Sequence, residues 1–571
     1  MSTAQVHFEL FVRRKVNAPW SLELATEDRA RAVESAEEML AEGRVAAVRV
    51  TKETLDEDTR EFKTVTLLSK GAVESRKDKL VREVDDSPLC VTPQDLYTMH
   101  ARDRIARLLD GWLRRKAVTP FELLHRPDLV EQLDASGVEI QHAVQRIAVP
   151  EAQARGLTTH ELIRTFQSLI DRAIERLIRD GRRSAFPKVE PSNFAAAAEA
   201  ALDESESGYL LGGGVAAYMA GAGGWGGKVG RLLDLAEKAP PAGRGRALGL
   251  QVLEQPLGEI MTVKNALADL IGADLDLGAN LAALTHMAAS AEVKALARMD
   301  AAFARHMPPL EGEAARLTGW LGKDAFESVR ASLVRRVMHD LVGPRRLRPS
   351  STDGEIEIIR TLAMALMASA PKLLPPEDVQ AAFVERSKML VGGDFVSAHL
   401  AERNSALAEI EALIRLAENV VGAANKRSAA RWIIAALGAN RFEKEFRTAS
   451  SSAPARLAML ADLQRSIKRA ALPESEAMVC LGKIGELGGM IEADCKLIAT
   501  VAKSDAPMPP RLVLLLRMAT GDAGPTGPVA DRARAEVIRL LRAPEARVQL
   551  AAQPKALETV KSLMVEAGLA A

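Results

Sequence analysis

Between His7 and Arg14 apolar and polar residues alternate. Phe8, Leu10 and Val12 fall on one side and His7, Glu9 and Arg13 on the other. A period of two sends these sets to opposite faces of a strand. The next stretch, TEDRARAVESAEEMLAEG, changes to a helical period that groups Ala32, Val33, Ala36, Met39 and Leu40. Thr26 is expected as its N-cap, with Glu27 and Asp28 in the first turn and Gly43 as the stop. RVAAVRVT (44–51) and EFKTVTLLS (61–69) return to the strand pattern, joined across the acidic turn LDEDTR. WSLEL (20–24) is a further short strand candidate. Residues 1–71 therefore predict a small α+β module of β-α-β-β order.

Residues 72–92 are charged, end near Pro88, and are expected to be a linker. From 93 onward the periodicity is helical throughout. TPFE (119–122) is a capping box with proline at the first helical position. The clearest helix is 159–180. Thr158 and Glu161 form its capping box, Leu162, Phe166, Leu169, Ile170, Ala173, Ile174 and Leu177 form one stripe, and Gly181 is expected to end it. The chain then divides into a helical domain (93–207), a glycine-rich seam (208–230), a second helical domain (231–342), a basic loop (343–354) and a C-terminal helical domain (355–571). In that last domain helices are expected near 355–370, 376–390, 404–424, 426–437, 453–469, 475–503, 510–519, 528–542 and 553–567. The fold class is mainly α: the small module followed by a large multi-helix array, built as an irregular α-solenoid or as stacked helical bundles. The absence of a fixed sequence period argues against a regular tetratricopeptide or ankyrin array.

Composition sharpens this picture in two ways. Of 571 residues 47% are hydrophobic but only 4% aromatic, so the core is built mainly of Ala, Leu, Val, Ile and Met, a bias toward helices. Lysine plus arginine (76) equals aspartate plus glutamate (76), which excludes the broad basic field of a general nucleic-acid binder. Three cysteines without CxxC spacing make neither a disulfide framework nor a zinc site. With an N-terminus lacking the apolar core of a signal peptide, a cytoplasmic location is expected.

Candidate chemistry is sparse. Gly221, Gly223 and Gly226 satisfy GxGxxG, but no strand precedes them, and the P-loop pattern fails at Ala222 and Val229. A flexible or tightly packed linker is the plainer reading; the alternative is an anion held by backbone amides with Lys228. A second candidate is the arginine concentration Arg330, Arg335, Arg336, Arg345, Arg346 and Arg348, with His339 inside it, placed to reach an acidic partner, a phosphate or an anionic membrane. The bland alternative is a solvated helix end and loop. A third is NKRSAARW, where Lys426, Arg427 and Arg431 open a helix beside Trp432, with Glu411 and Glu418 as internal ion-pair partners. Cys480 and Cys495 are expected to be buried structural thiols. The nine histidines make no HxxxH, no serine sits in GxSxG, and no cofactor motif is present. The expectation is a non-enzymatic cytoplasmic interaction or regulatory protein, an adaptor or sensor module on a helical body that binds a protein partner. Two alternatives stand beside it: a protein or enzyme handling a phosphorylated or anionic small molecule, and a peripheral membrane-surface protein.

Overall fold

The computed structural model describes residues 6–14, 20–55, 62–71 and 89–569. The acidic turn after Leu55 and most of the expected linker, 72–88, lie outside the described residues. Among those described, the chain is 73% helical, with 30 helices and a small four-stranded antiparallel N-terminal sheet. It divides into two compact units, Met1–Trp112 with Val130–Ile178, and Leu113–Leu129 with Arg179–Ala571.

In the first unit, β1 (Val6–Arg13), β2 (Ser21–Thr26), β3 (Ala47–Leu55) and β4 (Phe62–Gly71) pair in the order β2-β1-β3-β4. WSLEL therefore contributes a full edge strand. Leu10 lies opposite Val50 and Val12 opposite Val48, and all four are fully buried with Ala32 and Ala36 of helix α1 (Arg29–Ala41). Burial on this face fixes the register, since a slip of one residue would turn the apolar set outward. The N-cap of α1 is Asp28, not Thr26. Its carboxylate accepts from the Ala30 and Arg31 amides, while Thr26 ends β2 and its hydroxyl accepts from the Asp28 amide at 3.2 Å. Gly43 takes φ +67° just past the helix, as the stop requires. The same unit holds a buried carboxylate, Glu151, bracketed by Arg104 and Arg155 at 2.7 Å each.

The expected helix at 159 spans Thr159–Arg182, with the Thr158–Glu161 box formed. Gly181 does not end it. Glycine is needed there because a Cβ would sit 2.5 Å from the Pro127 ring.

The second unit opens with α2 (Pro120–His125), capped by Thr119 and Glu122 as expected. The glycine-rich seam is itself helical. It forms α3 (Ser207–Ala220) and α4 (Gly224–Glu237), with Gly212, Gly213 and Gly214 buried. A Cβ on Gly212 would meet the His125 ring at 2.5 Å, one on Gly213 would enter the Phe186 ring, and one on Gly214 would strike the Pro187 carbonyl. The glycines are there for close approach: they let the proline-containing segment 186–191 lie directly on the helix backbone.

Farther along, α5 (Gly243–Thr262) and α6 (Leu277–Ala288) both pack on α7 (Glu327–Val342). Then a pattern repeats four times. Each unit is a long helix, a second long helix and a short third. They are α8 (Thr352–Leu373), α9 (Pro376–Leu390) and α10 (Gly393–Leu400); α11 (Ala406–Asn419), α12 (Ala423–Leu437) and α13 (Asn440–Thr448); α14 (Ala453–Arg469), α15 (Glu474–Cys495) and α16 (Leu497–Lys503); α17 (Met508–Thr520), α18 (Pro528–Leu541) and α19 (Pro544–Ala551). Within each triplet the first helix packs on the second. Between triplets the second helices stack in series, α9 on α12, α12 on α15 and α15 on α18. Successive triplets begin roughly 50 residues apart. A final helix, α20 (Pro554–Glu566), packs on α17.

The expected 475–503 helix is two helices. The break is Lys496, whose left-handed backbone (φ +48°) redirects the chain. Polar side chains latch adjacent triplets: Asn425 donates to the Val384 carbonyl at 2.9 Å, and Gln464 accepts from the Thr526 amide at 2.7 Å while donating to the Leu481 carbonyl. On α15, Gly485 repeats the device of α3, since a Cβ there would lie 2.6 Å from the Thr526 carbonyl oxygen.

Candidate functional site

The residues singled out from sequence fall in three places. Lys228 lies inside α4 with 7% of its side chain exposed. Its ammonium donates to both carboxylate oxygens of Glu122 at 2.8 Å and to the Ala117 carbonyl at 2.6 Å, and it sits 4.9 Å from the Trp225 ring. Burial pulls its pKa below the ordinary lysine value, against the opposing pull of Glu122. Its donors are committed internally, and the arrangement is a strut joining α2 to α4.

The arginine concentration is split. Arg335 and His339 are exposed on α7. Arg330 caps the Leu321 carbonyl and pairs with Asp324 at 3.2 Å; Arg336 pairs with Asp340 at 2.5 Å and donates to the Thr262 carbonyl. The basic loop is held from beneath by a carboxylate that sequence analysis missed. Glu355, in the first turn of α8, accepts from the Leu347 and Arg348 amides at 3.0 and 2.6 Å and pairs with Arg386 of α9, with 1% of either side chain exposed. Arg386 also donates to the Gly343 and Arg345 carbonyls at 3.0 and 2.8 Å. Arg345 projects outward (67% exposed). Arg346 lies 5.4 Å over the Phe395 ring, and Arg348 lies 3.6 Å from Asp276. The loop is thus a clamped corner at the entry to the repeats. Glu355 and Arg386 are 31 residues apart, and nothing local in the sequence pairs them.

At the third place, Lys426 is structural. Its ammonium caps the end of α11 at the Ala417 carbonyl and reaches the Ala470 carbonyl at 2.9 Å, and burial lowers its pKa. Arg427 and Arg431 are exposed on α12. The pKa of Glu476 on α15 is lowered first by its hydrogen bond from Ser475, then by its own backbone amide, and last by the charges of Arg427 and Arg431. Of the expected partners Glu411 and Glu418, Glu418 accepts from Lys426 at its carbonyl oxygen, and its charge opposes the lowering of the Lys426 pKa by burial. Trp432 is part-exposed and donates to the Val391 carbonyl at 3.1 Å. Cys480 is buried, its thiol pushed up to about 11 by burial, whereas Cys495 is exposed and not the buried thiol expected.

Next to Arg427 and Arg431, α15 presents an unusual outer face. Met478 (67% exposed), Val479 (46%) and Met490 (38%) share it with Gly482 and Glu486 at helical spacing, while Cys480, Ile484, Leu487 and Ile491 face the core. Two concave surfaces lie among the described residues of the two units. One, of about 740 Å³, lies between the 187–192 segment and α3, walled by Tyr218 and by Arg231, which stacks on that ring at 5.0 Å. The other, of about 670 Å³, lies on the sheet face turned away from α1, lined by His7, Glu9, Phe11, Trp20, Arg49 and Thr51, with Glu53 at its end.

These features define a helical-repeat protein with an N-terminal α+β module. No family model, curated protein or solved structure matches the chain. Among the described residues, no helix is long and apolar enough to cross a membrane.

Proposed function

We propose that this chain is a non-enzymatic interaction protein whose repeat array binds a protein partner while the N-terminal module acts as an adaptor or sensor. The observation that carries this reading is the outer face of α15, where Met478, Val479 and Met490 are exposed beside Gly482 and Glu486, on a helix packed against α12 with its exposed Arg427 and Arg431. Stacked repeats commonly offer extended binding surfaces. Exposed apolar side chains near exposed arginines suit an amphipathic partner segment with acidic flanks. The engagement of Lys228, Arg336, Arg386 and Lys426 by internal acceptors supports a structural role for most of the conspicuous cations.

The test is affinity purification of the full chain from cells of its source, beside Met478→Glu/Val479→Glu and Arg427→Ala/Arg431→Ala. A stoichiometric partner that both variants lose is expected. A partner retained at equal yield by both, or none captured by the unaltered chain, would overturn the assignment to this face.

A further inference from the structure

We propose that the open face of the N-terminal sheet is a binding site for a small zwitterion of the α-amino acid class. The proposal deepens the sensor reading of the module by naming what it senses.

Two guanidiniums stack on one indole. Arg49 lies 4.5 Å and Arg13 4.8 Å from the Trp20 ring centre. Both are part-buried, and among the described residues neither has an ion-pair or hydrogen-bond partner. Arg13 Nε is wholly shielded and unbonded. Stacking leaves the edge donors of a guanidinium directed sideways, where a carboxylate takes two of them at once. Unpaired charge held this close to a low-dielectric surface is costly without a counter-ion.

Across the same face the chemistry inverts. Glu9 lies opposite Thr51 in the β1–β3 ladder, and Phe11 lies opposite Arg49. Glu9 and Arg49 are therefore diagonal neighbours, roughly 7–8 Å apart at the backbone and within reach of long side chains. Glu9 touches the His7 ring at 3.3 Å through one carboxylate oxygen only. Between the two ends lies Thr51, a residue of the cavity wall that is 4% exposed, with its hydroxyl buried and unbonded. Buried hydroxyls are ordinarily satisfied, so this one marks a missing partner.

A simple anion would meet the Arg49 end and be repelled at the Glu9 end; a simple cation would meet the reverse. A ligand bearing both charges satisfies both ends. Its carboxylate is held by Arg49, its ammonium by Glu9, its polar edge lies over Thr51, and an apolar side chain rests on Phe11 and Trp20. The volume, about 670 Å³, is in the range of small-molecule sites.

The experiment is titration calorimetry of the full chain with the standard α-amino acids, with acetate and ethylamine as single-charge controls. It is repeated with Arg49→Gln, Glu9→Gln and Thr51→Val after each is shown to melt like the unaltered chain. Saturable binding of at least one amino acid is expected, weakened about tenfold or more by Arg49→Gln and by Glu9→Gln, with acetate and ethylamine far weaker. Binding of no amino acid by the folded full chain overturns the proposal. So does acetate binding as tightly as the amino acids with Glu9→Gln unchanged, which would make the face a plain anion site. Partner capture through α15 is scored separately in the same variants, so loss of one reading is distinguishable from loss of the other.

Discussion

Lys228 Nζ lies 2.8 Å from both carboxylate oxygens of Glu122, although the two residues are 106 positions apart. Glu122 simultaneously accepts from the Thr119 amide at 3.0 Å, so one carboxylate caps α2 and anchors α4. Removing Lys228 leaves the buried Glu122 carboxylate with only the more distant Arg126, at 3.8 Å, as counter-charge. Lys228→Met is expected to cost about 3–5 kcal/mol, and the double variant with Glu122→Gln less than the sum of the singles. Chemical denaturation of the four corners of this cycle provides the check.

The clamp at the head of the repeats predicts a local effect. Glu355→Gln keeps the shape of the side chain but leaves Arg386 buried without a counter-charge, at a cost of about 3 kcal/mol or more. Hydrogen exchange should locate the damage: the Leu347 and Arg348 amides, which donate to Glu355, should lose protection before the core of α8 does.

Two glycines of α15, one turn apart, separate packing from propensity. Gly482 faces open space, so Gly482→Ala should stabilise by about 0.5–1 kcal/mol through helix propensity. At Gly485 a Cβ would sit 2.6 Å from a carbonyl oxygen of the backbone, so Gly485→Ala should destabilise by about 1–3 kcal/mol. Parallel denaturation curves decide; the same sign for both would refute the close-approach account.

Acid sensitivity follows from three histidines. Burial is the first cause lowering the pKa of His286, His306 and His399 below the ordinary value of 6.5. Each is neutral in the fold where the unfolded chain already takes up a proton. Stability is therefore full above pH 6.5 and is lost as pH falls from there through the folded values. Asp353, 3.7 Å from His399, opposes this shift, and Arg403 and Arg415 reinforce it. A denaturation midpoint that falls on acidification toward about pH 5, less steeply in His399→Gln, is the expected result.

The sheet module and the long amphipathic helices were legible because their signals are local. The alternation of Phe8, Leu10 and Val12 and the stripe Leu162–Phe166–Leu169 each lie within one element. The repeat was not legible, and the reason is specific. Its third helices, Gly393–Leu400 and Asn440–Thr448, are short, Leu497–Lys503 reads as a continuation of its predecessor, and Pro544–Ala551 carries almost no amphipathic contrast. Without them the triplet has no visible period. The glycine-rich helices misled for a related reason: low helix propensity is overridden where glycine alone admits a neighbouring backbone. The polar clamps were invisible because Glu355–Arg386 and Glu122–Lys228 join distant elements, and Thr51 carries no sequence mark of an unmet hydrogen bond.

Stacking of each triplet on the next has a consequence for cooperativity. The series α9–α12–α15–α18 is linked neighbour to neighbour, so melting of one triplet removes only the interfaces it shares with its immediate neighbours and leaves the interior of the others intact. Heat uptake for the whole chain should then exceed the van't Hoff value drawn from any one optical signal. Fraying should enter from the carboxyl-terminal triplet, where α20 rather than a further triplet covers α17. Denaturation of this molecule is in that sense a sequence of small openings along a line, and a partner seated across two triplets would fuse their openings into one.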